Sequence, residues 1–296
     1  MAALRWWRCD PASAQSPWAS SARVIILRID IAPLAIMRTL LTFFTALLIA
    51  TSTSAQPVRT IDIPTRPGVT QRFLVITPDK PKTAVILFAG GDGGLTLEAD
   101  GRIPKLAGNF LVRSRQSFAD QGLTTVVIDA PSDLQSRPYL SGSRQTAVHV
   151  TDVKAVIAWL REQSKIPVWL IGTSRGTQSA AYIATQLPTA EGGPDGIVLT
   201  ASVVRDTRTR AVPEMELGKI RIPVLVAHHR QDSCRVCLFA DVPLLMERLT
   251  ATPRKELLTF DGGISVGDPC EARAYHGFNG IEGEVIQRIA AWITAP

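Results

Sequence analysis

The sequence predicts an α/β domain: a doubly wound, mostly parallel sheet with helices on both faces and no large cap domain. Three observations carry this. Short, nearly continuous apolar runs recur (TAVILFA at 83–89, TTVVIDA at 124–130, VWLIG at 168–172), as strands buried on both faces require. Segments with three- and four-residue apolar spacing lie between such runs. No linker breaks the series, so one domain is expected over 56–296.

The elements follow in order. Two extended runs, 60–63 and FLVIT at 73–77, flank the turn residues Pro67-Gly68 and read as antiparallel edge strands. The strand at 83–89 runs into a glycine-rich turn (Gly90, Gly91, Gly93, Gly94), then a helix over 109–121, then the strand at 124–130. Val148, Val153, Val156, Ile157 and Leu160 predict a helix over 144–163. The strand at 168–172 leads into a helix over 174–187, stopped by Pro188. Strands at 196–204, 223–228 and 257–260, with helices at 239–250 and 281–294, complete the alternation, which implies right-handed crossovers.

Composition narrows the function classes. With 296 residues, 46% hydrophobic and 20% charged, the chain can bury one large core. The formal charge of +6 falls to +3 once the first 55 residues, with five arginines and two aspartates, are set aside. The remaining positives are scattered and few aromatics accompany them, so no nucleic-acid partner is expected.

Met37-Arg38, the apolar LLTFFTALLIA at 40–50 and small residues ending at Ala55 have the layout of a secretory signal peptide, with cleavage before Gln56. The apolar run is short for a membrane span, so no stable membrane association is expected after cleavage. Residues 1–36, with Trp6, Trp7 and Trp18 in no regular period, are read as a misassigned or disordered extension, with translation beginning at Met37.

Gly172-Thr173-Ser174-Arg175-Gly176 fits G-x-S-x-G between a buried strand and a helix. The spacing is steric: the serine sits in a tight turn, and bulky neighbours two positions away would clash with strand and helix. The following helix points its positive end at a developing oxyanion. With this motif in place, residues from about 73 to 292 resemble the α/β-hydrolase superfamily. AGNFLVRSR at 107–115, HHRQDSC at 228–234 and CEARAYHGF at 270–278 resemble a group of small exported bacterial serine hydrolases.

The resemblance implies the chain order nucleophile, acid, histidine. A serine hydroxyl needs a neighbouring base, and His276 is the histidine placed late enough. Asp232 is the expected acid, with Asp206 after the preceding strand and Asp268 as alternatives. His228 and His229 are read as supports of the acid's loop, and His149 as a packing residue. One oxyanion donor is the amide of Arg175. The other is that of Gly91 or Asp92, in a turn resembling the HGGG-type loop but with Phe88-Ala89 before the glycines. A phosphate-cradling role for GGDGG fails for want of a following Lys-Ser/Thr.

In an exported protein thiols tend to pair. Cys234 follows the proposed acid by two residues and Cys270 precedes the base by six, so a Cys234–Cys270 disulfide would tie the two loops together. The subgroup resemblance supports this pairing. Cys237 is then left as a spare buried thiol, and redox or zinc use of Cys234-x-x-Cys237 is the weaker reading. About 18 residues (205–222) stand where relatives insert a cap, which predicts an open site. Arg205, Arg208 and Arg210 in that loop are read as solvated charges, with contact to an acidic substrate as the alternative. The expected activity is hydrolysis of small carboxylic esters, with no cofactor or metal; a peptidase, an amidase or a non-catalytic binding protein of the same fold are the competing readings.

Overall fold

A hairpin brings the chain into its sheet: β1 (Val58–Arg66) pairs antiparallel with β2 (Val69–Ile76) around Pro67-Gly68, with Gly68 at φ +71°. The computed structural model describes residues 56–295, so the signal peptide and the extension before it lie outside the described residues. Six strands follow: β3 (Thr83–Phe88), β4 (Leu123–Ile128), β5 (Val168–Thr173), β6 (Gly196–Thr200), β7 (Val224–His229) and β8 (Lys255–Phe260). The sheet order is β1-β2-β4-β3-β5-β6-β7-β8. β2 pairs antiparallel with β4, and every pairing from β4 through β3 to β8 is parallel.

The helices are α1 (Phe110–Arg113), α2 (Arg115–Asp120), α3 (Ala147–Gln163), α4 (Gly176–Gln186), α5 (Val242–Arg248) and α6 (Glu282–Thr294). Alternate strand residues feed two core layers. Ile86, Leu170, Leu199 and Val226 pack with Val153 and Ile157 of α3, Ala180 of α4 and Leu245 of α5. Leu87, Ile171, Val198 and Leu225 pack with Phe110, Phe118 and the Val285/Ile289 face of α6. Helices therefore cover both faces, which is why β3 to β7 read as unbroken apolar runs.

The sequence reading departs from the structure at several ends. Only β1 is an edge strand of the hairpin, since β2 is paired on both sides. The helix expected over 109–121 is two short helices meeting at Ser114. α3 begins at Ala147 because the Thr146 hydroxyl accepts from the His149 amide and caps it. Its inward residue in the first turn is His149, while Val148 is 45% exposed. β6 stops at Thr200, where Ala201 turns at φ +43°. Residues 239–241 form a 3-10 turn ahead of α5, whose first turn takes Pro243.

The segment 205–222 carries two 3-10 turns, Val212–Glu214 and Leu217–Lys219, whose Val212, Leu217 and Ile220 join the core. It lies down on the domain and forms no cap.

Candidate active site

β5 delivers Ser174 and α4 leaves from it. The serine sits at φ +51°, the left-handed region that side-chain-bearing residues rarely occupy. Its neighbours explain the motif. A Cβ on Gly172 would stand 2.3 Å from the Gly176 carbonyl oxygen, and one on Gly176 would stand 2.1 Å from that of Phe88. These obstacles are backbone, so no rotamer change relieves them. The strained turn is held by Ser174 N–H donating to Thr200 O at 3.1 Å, and by Thr177 N–H donating to Ser174 O at 2.9 Å.

The turn after β3 comes up against the same point. A Cβ on Gly90 would lie 3.0 Å from the Ser174 Cβ, so a side chain here would press on the serine. Gly90 and Gly91 line a cavity of about 280 Å³ with Ser174, His276, Asn109 and Phe110. Asp92 does not line it: its carboxylate accepts from Gly94 N–H at 3.1 Å and faces Lys105 at 3.5 Å. Of the two donor positions left open by the sequence, Gly91 is therefore the one at the cavity wall. Behind the turn, buried Asp129 accepts from the amides of Leu95 and Leu97 at 2.7 and 2.8 Å, fixing the loop's exit.

β7 and the 3-10 turn Tyr275–Gly277 bring the acid and the imidazole together. His276 Nδ1 stands 2.9 Å from Asp232 Oδ2, with both side chains at most 5% exposed. Asp232 Oδ1 accepts from Cys234 N–H at 3.0 Å, so the carboxylate has a partner on each oxygen. The Cys234–Cys270 disulfide joins the two loops that carry this pair. Asp206 is engaged elsewhere, with Arg175 Nη1 at 2.7 Å and Thr209. Burial would raise its pKa, but these hydrogen bonds hold it well below the usual carboxylate range. Asp268 accepts from Cys270 N–H at 2.8 Å and serves an exposed turn.

His228 and His229 stand behind the acid. His228 Nδ1 is 4.0 Å from Asp232 Oδ2, and complete burial pushes its pKa down to about 4 despite that charge. His229 stacks on Tyr275 at 4.4 Å, accepts from Gln231 N–H and contacts Gly262 O at 2.9 Å. His149 packs edge-on against Phe88, and burial, then Arg144, lowers its pKa to about 3.

Cys237 is a free, fully buried thiol within reach of the Ser174 hydroxyl. Burial, then the Asp232 charge, raises its pKa well above the ordinary value, which keeps it protonated. Its sulfur, that of Cys234 and a His276 ring nitrogen lie within 4.8 Å of one another. Because Cys234 is bridged, its sulfur is not a thiolate, and the trio offers two donors where a tetrahedral zinc site asks for three or four. The donor set does not fit a metal.

Two arginines without a sequence assignment complete the frame. Arg113 of α1 donates through Nη2 to Gly277 O at 2.7 Å and to Glu282 Oε1 at 2.8 Å. Buried Arg144 donates to Ala89 O at 2.9 Å, Gly91 O at 3.2 Å and Ser179 Oγ at 2.9 Å, holding the glycine turn from beneath. Neither carries a periodic signal; Arg113 falls inside AGNFLVRSR, where a run that specific was the only pointer to it.

The strand order, with the serine turn after β5 and the imidazole loop after β8, is that of the α/β-hydrolase fold. No protein-family model matches the chain, and no curated protein matches its sequence. Solved structures do match. A dienelactone hydrolase from Anabaena variabilis superposes with TM-score 0.58 at 14% identity, over 81% of this chain and 97% of the other. An esterase from Pyrococcus furiosus gives 0.56 at 16%, over 80% and 92%. A protein from Xanthomonas campestris described as an α/β serine hydrolase without lid gives 0.50 at 17%, over 82% and 97%.

Proposed function

We propose that the chain is a serine hydrolase that cleaves carboxylic esters through an acyl-enzyme intermediate. Ser174 is the nucleophile, His276 the base and Asp232 the residue that orients the imidazole. The observation that carries this reading is one cavity wall: it holds a serine at φ +51° and a histidine whose Nδ1 is committed to a buried carboxylate. With Nδ1–H donating to Asp232, Nε2 is the unprotonated nitrogen that accepts the serine proton.

The alkoxide then adds to the ester carbonyl, and the amides of Arg175 and Gly91 receive the oxyanion. Each such donor is worth about 2.7–4 kcal/mol of barrier. The imidazolium returns its proton to the departing alcohol, and water repeats the addition on the acyl-enzyme. The neighbours named as esterase, dienelactone hydrolase and serine hydrolase support a hydrolytic reaction. Esters are preferred over peptides because the segment 205–222 forms no cap and the cavity at Ser174, of about 280 Å³, suits small substrates.

A fluorophosphonate probe tests the assignment. Labelling at Ser174 that disappears in Ser174→Ala, together with turnover of p-nitrophenyl acetate, is the expected result. Folded protein that neither labels nor turns over would favour a ligand-binding role for the fold.

We further propose that the domain spans 56–296 and is exported, with a signal peptide at 37–55 and translation starting at Met37. The Cys234–Cys270 bridge supports an oxidising compartment, and among the described residues no helix is long and apolar enough to cross a membrane. Mass spectrometry of the natural N-terminus should give Gln56; a chain beginning before Met37 would sink this reading.

A further inference from the structure

A second cavity, of about 490 Å³, has no lining residue in common with the cavity at Ser174, and the reaction above does not use it. Four arginines line it, Arg144, Arg175, Arg208 and Arg210, together with Gln178 and Thr209. No acidic side chain is among its lining residues. The carboxylate nearest in the network, Asp206, is 2% exposed and is already paired with Arg175. Arg205, from the same loop, turns away to Asp241, whereas Arg144, Arg208 and Arg210 have no ion-pair partner among the described residues.

Arg144 sets this cavity apart from a solvated basic surface. It is 4% exposed, its Nη atoms are spent on neutral carbonyls and a hydroxyl, and its Nε has no hydrogen-bond partner. A buried cation is normally found with a counter-charge. Here Arg144 makes no ion pair and feels Asp92 only at a distance, while the charged residues lining the cavity are all arginines, whose donors suit a planar or tetrahedral oxyanion.

The two cavities are linked through the chain, since Ser174 lines one and Arg175 the other. Arg175 follows the nucleophile, so its backbone belongs to the oxyanion site while its side chain lines the second cavity. Arg144 holds the carbonyls of Ala89 and Gly91, the turn whose glycines line the first.

We propose that this second cavity is an anion subsite, and that the preferred substrates are esters bearing a carboxylate or comparable oxyanion on the part held away from the scissile carbonyl. The substrate class rests on the serine hydrolase reading; the anion site itself does not. Arg208 and Arg210 are exposed on the loop, so replacing them leaves the core intact.

The test compares p-nitrophenyl hemiglutarate with neutral p-nitrophenyl valerate. The wild-type protein should favour the hemi-ester in kcat/KM by at least about tenfold, mostly through KM. Added salt should erode the preference. In the double variant Arg208→Gln, Arg210→Gln the ratio of the two kcat/KM values should fall by about the same factor. Equal use of both esters, or a ratio the double variant does not change, overturns the substrate class.

Glutarate binding by calorimetry reads the subsite without turnover. Binding that the double variant weakens about tenfold supports it even if Ser174 fails to label; no binding, or binding indifferent to the variant, overturns it.

Discussion

Arg113 Nη2 donates to the Gly277 carbonyl at 2.7 Å, one residue beyond the catalytic imidazole proposed here, while the same guanidinium pairs with Glu282 at the start of α6. One side chain thus links the helix after the glycine turn to the loop of His276. Burial would raise the Glu282 pKa, but the bonds from Arg113 hold it below the ordinary glutamate value, so the carboxylate is charged at neutral pH. Arg113→Met keeps the aliphatic stem and removes the donors. Hydrogen bonds to charged groups contribute about 1.5–3 kcal/mol, and a loss in that range is expected in urea denaturation. Because His276 loses a brace, kcat for p-nitrophenyl acetate should fall about tenfold, a barrier change of about 1.4 kcal/mol, with little change in KM. A stability loss with kcat intact would show that the bond supports α6 alone.

Asp232 and Asp206 are distinguished by what each faces. His276 Nδ1 meets Asp232 at 2.9 Å, whereas Asp206 holds Arg175. Asp232→Asn should lower kcat by about 10⁴-fold, since the amide no longer stabilises the imidazolium. Asp206→Asn should act on stability instead, through the freed Arg175 and Thr209, by about 1–3 kcal/mol. Reversed kinetic effects would move the acid to the end of β6.

The Cys234–Cys270 bridge closes a separation of 36 residues that contains the whole of β8 and its approach to His276. Removing both sulfurs together, Cys234→Ala with Cys270→Ala, should cost about 3–4 kcal/mol on the chain-entropy account. It should also lower kcat, because the loop from 261 to 275 then loses its covalent tie to the segment that carries Asp232. Cys237, buried and kept protonated, should resist iodoacetamide in the native wild-type protein and react once it is unfolded. Native-state labelling of Cys237 at the unfolded rate would contradict its placement.

The layers of this fold were legible because β3, β4, β5 and β7 are buried along their whole length and so read as largely apolar runs. Ser174 was legible for a steric reason: backbone oxygens at 2.3 and 2.1 Å from virtual Cβ atoms leave glycine alone at 172 and 176. Element ends were less so. Val148 fits an apolar period yet faces solvent, because the cap at Thr146 sets the phase of α3 and turns His149 inward. Arg144 read as a helical residue, and its burial under the glycine turn could not be anticipated, since it depends on Gly93 and Gly94 leaving room for its guanidinium and the Tyr139 ring. Long-range hydrogen bonds between loops leave no spacing in the sequence to read.

His149 and His228 give the protein an acid weakness. Both are fully buried, and burial holds their pKa values at about 3 and 4, against the 6.5 of an unfolded histidine. A depressed folded pKa means that the unfolded chain binds the proton first. Stability is therefore complete above about pH 6.5 and falls as the pH drops toward 4, where His228 protonates in the folded state too. Each histidine contributes a slope of about 1.4 kcal/mol per pH unit across that window. The midpoint of urea unfolding should consequently drop steeply between pH 7 and pH 5. His149→Gln removes one titrating group and should roughly halve the slope, whatever it does to the midpoint at pH 7. Since His149 lies beneath the strand leading to the glycine turn and away from Asp232, the kinetic pH profile of the variant should keep its acid limb. A slope unaltered by the substitution would place the acid sensitivity in the carboxylates instead.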